Sequence, residues 1–242
     1  MSANSQIEMA IVLAAGLGMR MRPLTDDRPK PMVELAGRTL LDRALDRIFE
    51  AGVRKAVVNT HYKAEVIHRH LGGRDDIVIS HEEERLETGG GVSRALPHFC
   101  DRPFFVVNSD AVWLDGPVPA LSRLSAAWDD AAMDALLLLQ PVGAATGYDG
   151  PGDYHRAPAG TLKRREKDGT APYLFAGVQI LHPRLFRGAP DGAFSLNILY
   201  DRAQAAGRLF GLEHDADWFH VGTPEELAQT ESILAQRADR RT

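Results

Sequence analysis

Four short apolar runs occupy the first half of the chain, and residues with helical spacing separate them. This alternation constrains the fold more than any other feature. "MAIVLA", "KAVVNT", "DIVISH" and "PFFVVNSD" are each too short for a buried helix and end in glycine or polar residues, so they read as buried strands. Between the first two, Leu40, Leu41, Ala44, Leu45, Ile48 and Phe49 recur on one helical face, with Thr39 as cap, Asp42 at the third position and Gly52 as stop. "AEVIHRHLGG" is a second helix, and "GGGVSRALPHF" opens a third from its glycines. Strands alternating with helices imply right-handed crossovers and a parallel sheet covered on both faces. The predicted class is therefore α/β, a Rossmann-like three-layer α/β/α arrangement. Ligands of such sheets bind beyond the carboxyl ends of the strands, where Gly16, Asn59 and Asp110 fall.

The second half is less regular. "ALLLLQPV" and "YLFAGVQIL" read as buried strands and "RLFGLEH" as another, so the sheet is expected to be mixed but mainly parallel. "FSLNILYDRAQAAG" is a helix capped by Ser195. "GTPEELAQTESILAQR" starts with Thr223 as cap, Pro224 at the first position and Glu226 at the third. Between Gly143 and Pro172 the density of Gly, Pro and Ala suggests a long loop or an irregular hairpin, the kind of segment that often carries function. The tail "RADRRT" is expected to fray. We expect one domain over 1–242, with one half at about 9–112 and the other at about 113–235.

The net charge of −5 argues against nucleic acid as main partner. Cys100 is the only cysteine, which leaves no intramolecular disulfide and fits a reducing, cytoplasmic setting. The leader "MSANSQIE" lacks the positive region of a secretory signal. No apolar run approaches the roughly 20 residues needed to cross a bilayer, so no membrane partner is expected.

The chemistry concentrates in "VLAAGLGMRMRPLTDDRPKPM". Gly16 and Gly18 let backbone amides approach anionic oxygens. Arg20, Arg22, Arg28 and Lys30 follow, against Asp26 and Asp27. Arg20 can fork onto a polyphosphate, and prolines on both sides of Lys30 fix the backbone that aims it. A solvated basic turn is the plain alternative. A dinucleotide fingerprint fails, because Met21 occupies the third glycine position and the second strand ends in Asn59-Thr60 rather than an acid. Asp110 can hold a divalent cation at a strand end or cap a turn. In "LETGGG", consecutive glycines are expected to leave main chain free for a base edge, with Glu87, Thr88 and Gly89 nearby; a glycine-rich helix start is the alternative.

This segment resembles the signature of the sugar-1-phosphate nucleotidyltransferases. "LETGGG", "VNSD", "GDY", "FAGVQILHP" and "VGTPEEL" extend the resemblance over about residues 9–235. It is strongest to the short, single-domain members that act on UTP and N-acetylmuramate 1-phosphate in cell-wall recycling. Mannose-1-phosphate guanylyltransferases and glucose-1-phosphate thymidylyl- or uridylyltransferases share the signature and remain alternatives. A non-catalytic nucleotide sensor is the alternative of another class.

The resemblance implies a nucleotide-diphospho-sugar transferase fold and two substrates, a nucleoside triphosphate and a sugar 1-phosphate. It also implies Mg²⁺ as cofactor and a monomer or weak homodimer. Arg20 would hold the β and γ phosphates, and Lys30 would stabilise charge around the α-phosphate. Ala14, Ala15, Gly16 and Gly18 would give backbone contacts, and Asn59 would frame the nucleoside. Asp110 would hold the metal. Asp153, Glu166 and Gly177 would form the sugar side, although "KRREK" also reads as a solvated charge run. One position departs from the pattern: His220 stands where the family presents a second metal-binding aspartate. It would bind a softer ion such as Mn²⁺ or Co²⁺, or hydrogen-bond phosphate, or leave the ion to Asp215 or Asp217; a buried, hydrogen-bonded histidine is the plain alternative.

Overall fold

The computed structural model describes residues 7–239. The leader before Ile7 and the tail residues after Asp239 lie outside the described residues; up to Asp239 the C-terminal segment is helical.

The elements follow the sequence patterns closely. β1 (Met9–Leu13) leads through two short 3-10 turns to the β2 (Glu34–Leu35) and β3 (Arg38–Thr39) hairpin and then to α1 (Leu40–Glu50). Thr39 caps α1 by accepting from the Asp42 N–H at 3.0 Å. β4 (Lys55–Thr60), α2 (Ala64–Leu71), β5 (Ile77–His81), α3 (Glu87–Ala95) and β6 (Phe104–Asn108) complete the alternating half. After β7 (Val112–Trp113) and α4 (Ala120–Ala127) come β8 (Ala135–Pro141), β9 (Ala145–Thr146), β10 (Tyr154–Arg156), β11 (Leu162–Arg164) and β12 (Tyr173–Leu181). α5 (Asn197–Ala205), β13 (Leu209–Glu213), β14 (Trp218–Phe219) and α6 (Pro224–Asp239) close the chain.

The main sheet runs β5-β4-β1-β6-β12, with β8 and β13 beyond β12 and the β10–β11 hairpin at the start of β12. β5, β4, β1 and β6 are mutually parallel, and β12 is antiparallel to both β6 and β8. The sheet is thus mixed, as expected. From β1 the chain winds outward to β4 and β5 and then crosses back to β6, which puts the topological switch point at the carboxyl ends of β1 and β6.

Alternate residues of each strand enter opposite cores. Ala10 and Val12 pack with Leu41, Leu45 and Ile48 of α1, Ile67 of α2 and Leu124 of α4. Ile11 packs on the other face with Val92 of α3 and Leu199 of α5. Those faces are the outer two layers. A third, smaller core joins Met21 of the signature loop to Val112, Phe219, Val221 and Leu227. Full burial of Met21 is worth about 1.5–3 kcal/mol, so the loop is tethered to α6 and β14.

Of the two readings of the Gly-rich stretch 143–172, the hairpin holds: Tyr154↔Arg164 and Arg156↔Leu162 pair. Its sharp turns use glycine where a side chain cannot fit; a Cβ on Gly152, at φ +73°, would lie 2.1 Å from the Ala171 carbonyl oxygen. The short β7, β9 and β14 form a separate three-stranded sheet that periodicity could not reveal, since two-residue strands carry no pattern.

Candidate active site

A cavity of about 390 Å³ opens over the carboxyl ends of β4, β1 and β6. Ala15, Gly16, Gly18, Lys30, Asn59, Glu87, Thr88 and Asp110 line it. These residues are distant in sequence and meet because the strand order brings them to one edge.

The signature loop owes its shape to two different glycines. Nothing lies within 4 Å of a Cβ built on Gly16, so its missing side chain keeps the cavity clear. Gly18 sits at φ +63°, and a Cβ there would press on Lys30 Cβ at 3.0 Å and Thr25 Cγ2 at 3.1 Å. The Thr25 hydroxyl donates to the Gly18 carbonyl at 2.9 Å, closing the loop. Lys30 Nζ then reaches Asp110 Oδ2 at 2.7 Å, the lysine mostly buried and the carboxylate part-exposed. Loop and strand end therefore present one cation and one carboxylate to the same space.

Asn59 is buried and fully employed. Its Oδ1 accepts from the Ala14 N–H at 2.7 Å, and its Nδ2 donates to Glu82 Oε1 at 2.7 Å. It fixes the exits of β1 and β4 against each other, so its part in the cavity is to shape the wall. The Ala14 N–H is likewise spent on Asn59, so it is not a free donor to a nucleotide.

The glycines of "LETGGG" need correction. Gly89, Gly90 and Gly91 are buried, and the Gly89 N–H donates to the Phe194 carbonyl at 2.8 Å. A Cβ on Gly89 would lie 2.3 Å from the Phe194 ring, and one on Gly91 2.7 Å from both Asn59 Nδ2 and Glu82 Oε1. Close packing, not exposure of main chain, is why they are glycine. Thr88 accepts from the Leu196 N–H at 3.0 Å, while Glu87 at the cavity wall is exposed.

Arg20 and His220 converge elsewhere, over Gly222. A Cβ there would lie 2.9 Å from His220 Nε2, 3.1 Å from Glu226 Oε2 and 3.2 Å from Arg20 Nη1. Glu226 Oε2 accepts from the Gly222 and Thr223 N–H groups at 2.6 and 2.9 Å, and Thr223 Oγ1 accepts from the Glu226 N–H at 3.3 Å. This is the capping box read in the sequence. The His220 ring packs edge-on to Tyr148 and beside Trp218.

Neither Asp215 nor Asp217 takes the place of the departed aspartate. Asp215 pairs with Arg123 at 2.7 Å and Asp217 with Arg237. Among the described residues no group of three or more His, Cys, Asp or Glu side chains is placed to hold a metal. Asp110 alone still fits Mg²⁺, a hard ion that is commonly held by one or two carboxylates together with substrate phosphates and water.

On the other side of β6, Gly177 sits at φ +80° in a bulge of β12, where Phe175 pairs Leu139 but Gln179 already pairs Leu137. A Cβ on Gly177 would meet Ala111 Cβ at 3.0 Å, so the bulge presses on the chain just after Asp110. Asp153 Oδ2 accepts from the Phe175 N–H at 2.8 Å, which ties the hairpin to that bulge. Tyr148 accepts from the Gly152 N–H at 3.1 Å, and burial raises its phenol pKa. Glu166 does not join them. Arg165 gathers the Glu166, Lys167 and Gly169 carbonyls into a tight turn and leaves the Glu166 side chain 85% exposed. Arg85, Asn108, Ser109 and Ser195 line the cavity without having been picked out from the sequence. Ser195 had read only as a helix cap, and it does accept from the Asn197 N–H at 3.3 Å.

A family model described as nucleotidyl transferase matches residues 9–149. The chain belongs to this family. The N-acetylmuramate alpha-1-phosphate uridylyltransferase of Caulobacter vibrioides is 41% identical over 236 residues, 95% of this chain and 98% of that protein. The enzyme of the same name from Neisseria meningitidis serogroup B is 31% identical, over 93% of this chain and 97% of its own length. Among solved structures, HddC from Yersinia pseudotuberculosis complexed with GMP-PN superposes with a TM-score of 0.73 at 20% identity, covering 94% of this chain and all of that one. A putative glucose-1-phosphate thymidylyltransferase from Bacillus anthracis gives 0.76 at 14% identity, over 93% of this chain and 94% of that one. Both share the fold described above. The nucleotidyltransferase is of the sugar-1-phosphate type, an enzyme that makes nucleotide-sugars. Among the described residues no helix is long and apolar enough to cross a membrane.

Proposed function

We propose that the enzyme joins UTP to N-acetylmuramate 1-phosphate, giving UDP-N-acetylmuramate and pyrophosphate. The observation that carries the reaction type is the Lys30–Asp110 pair at the switch point, facing a cavity lined by the open Gly16 turn. The choice of substrates rests on the likeness to the Caulobacter protein over nearly the whole length of both chains.

In this reading a phosphate oxygen of the sugar 1-phosphate forms a bond to the α-phosphorus. The bond from that phosphorus to the bridging oxygen breaks, and pyrophosphate leaves with the electron pair. The nucleophile is already an anion, so the work is positioning and charge neutralisation rather than proton removal. Lys30 neutralises charge developing around the α-phosphate, and Arg20 forks onto the β and γ phosphates. Ala15, Gly16 and Gly18 give close backbone approach. His220, beside Arg20 and Glu226, hydrogen-bonds phosphate rather than binding metal. Asp153 and the Gly177 bulge shape the sugar side. Mg²⁺ held on Asp110 would supply charge neutralisation between the two substrates. A cytoplasmic place in cell-wall recycling belongs to the same proposal.

The test is pyrophosphate release across UTP, GTP, CTP, ATP and dTTP with several sugar 1-phosphates, in Mg²⁺ and in Mn²⁺. Fastest turnover with UTP and N-acetylmuramate 1-phosphate is expected. A clear preference for GTP with mannose 1-phosphate, or for dTTP with glucose 1-phosphate, would replace this substrate pair. No release with any pair would refute the enzyme reading.

A further inference from the structure

The Arg20 guanidinium is exposed on a flexible stem, so its aim depends on the backbone that carries it. That backbone is the 3-10 turn Met19–Met21, closed by the Met21 N–H donating to the Gly18 carbonyl at 3.0 Å. The same carbonyl accepts from the Thr25 hydroxyl at 2.9 Å, and Thr25 is only 1% exposed. Met21 anchors the far side of the turn in the third core. What fixes Thr25 therefore fixes the near side.

Tyr62 does so from the corner between β4 and α2. Its hydroxyl crosses to the signature loop and donates to the Thr25 carbonyl at 3.1 Å. The next residue, Lys63, takes φ +48°, a left-handed conformation that costs any residue with a Cβ, and its Nζ lies 5.4 Å from the centre of the Tyr62 ring. Strain of this kind persists where the surroundings require the shape. Three residues before Tyr62, Asn59 accepts from the Ala14 N–H at 2.7 Å. The exit of β4 thus holds the loop at two points, Ala14 where it leaves β1 and Thr25 beyond the turn. The residues that line the cavity do not include Tyr62, so its effect on a ligand passes through the loop.

We propose that Tyr62 is a positioning residue for Arg20. The chain runs from the Tyr62 O–H to the Thr25 carbonyl, from the Thr25 O–H to the Gly18 carbonyl, and through the turn to the guanidinium. It sets where the β and γ phosphates are gripped. The inference rests on the function proposed above, in which Arg20 forks onto those two phosphates.

Tyr62→Phe tests it, because it removes one hydroxyl and keeps the ring. Calorimetric titration with UTP and with UMP, without sugar substrate, reads the grip apart from chemistry, since UMP lacks the β and γ phosphates. The variant should bind UTP about three- to tenfold more weakly, from loss of one neutral hydrogen bond, and UMP as wild type does. KM for UTP should rise by the same factor, with kcat within about twofold of wild type. In an Arg20→Ala background Tyr62→Phe should add no further loss for UTP. Thr25→Val supplies the second arm, since it keeps the branched shape and breaks the chain; it should match Tyr62→Phe, whereas Thr25→Ser should bind UTP as wild type does. Unchanged UTP affinity in Tyr62→Phe, equal weakening of UTP and UMP, or the full loss repeated in the Arg20→Ala background would overturn the positioning role alone. The same contrast found with GTP and GMP instead would keep the role and replace the base. Wild-type protein that binds no triphosphate would overturn both this role and the proposed function.

Discussion

Replacing Lys30 with Ala separates folding from chemistry at the centre of the site. Alanine keeps the Cβ that packs near Gly18 and deletes only the charged stem. The lost partner, Asp110, has its side chain 41% exposed, so water can solvate it once Nζ is gone. A bare pair of charges at 4 Å attracts by about 4 kcal/mol at an intermediate dielectric, but exposure and side-chain entropy reduce such pairs to about 1 kcal/mol or less. For a chain of this length that is a fall of about 2–4 °C in melting midpoint. In the transition state Lys30 has a different value, because it faces charge developing in a cavity. Removing one such preorganised donor costs about 2.7–4 kcal/mol, or 10²–10³ in kcat. Thermal melts and pyrophosphate release at saturating substrates measure the two effects on one preparation. Turnover within about threefold of wild type would remove Lys30 from the mechanism. A collapse in stability with the activity loss would show that the pair is chiefly structural, which the exposure of Asp110 argues against.

Gly222→Ala should melt within about 1 kcal/mol of wild type, since the three atoms nearest its Cβ are side-chain ends, of Arg20, His220 and Glu226; KM for the triphosphate should rise about tenfold, and an unchanged KM would detach Arg20 from the triphosphate. Gly89→Ala meets a backbone carbonyl at 2.8 Å that cannot swing aside, so urea denaturation should show a loss of about 1–3 kcal/mol or more; a wild-type midpoint would refute that packing. Asp215→Asn should leave the Mg²⁺ concentration for half-maximal activity unchanged, because Asp215 serves Arg123, whereas Asp110→Asn should raise it; a matching rise in Asp215→Asn would return Asp215 to the metal. Burial holds His182 and His214 below the ordinary imidazole value of 6.5. Below that value the unfolded chain therefore binds more protons than the folded one, and stability falls as pH drops until the folded-state values are reached. Denaturant midpoints from pH 7.5 to 5.5 should show this slope, and His214→Gln should flatten it; an unaltered slope would exclude His214.

How much of the site could be read in advance depends on whether a residue acts where its own segment points. Lys30 and Asp110 were legible because each ends a local pattern, a proline-fixed turn and an apolar strand, and parallel winding carries both ends to one edge. Leu41 faces the core by the helical period of α1. The glycines after Glu87 were misjudged because their purpose lies across a long sequence gap, in the Phe194 ring and carbonyl that occupy the space of their missing side chains. Asn59 shows the opposite case: its position at a strand end was legible, but its amide is consumed by Ala14 and Glu82, partners that only the folded chain supplies.

His220 joins both lessons. Its departure from the family pattern was visible in one residue, and the expected compensation was another acid nearby. The fold answers differently, because Asp215 and Asp217 are drawn to Arg123 and Arg237, while the Glu226 cap brings a carboxylate to the same turn. That carboxylate is tied to two backbone N–H groups and stands beside Arg20. A histidine there, with Nε2 3.7 Å from that carboxylate, avoids the like charge that an aspartate would face. The substitution at 220 and the capping box of α6 are therefore compatible as a pair, and under the proposed function a divalent cation would be left to Asp110 and the phosphates.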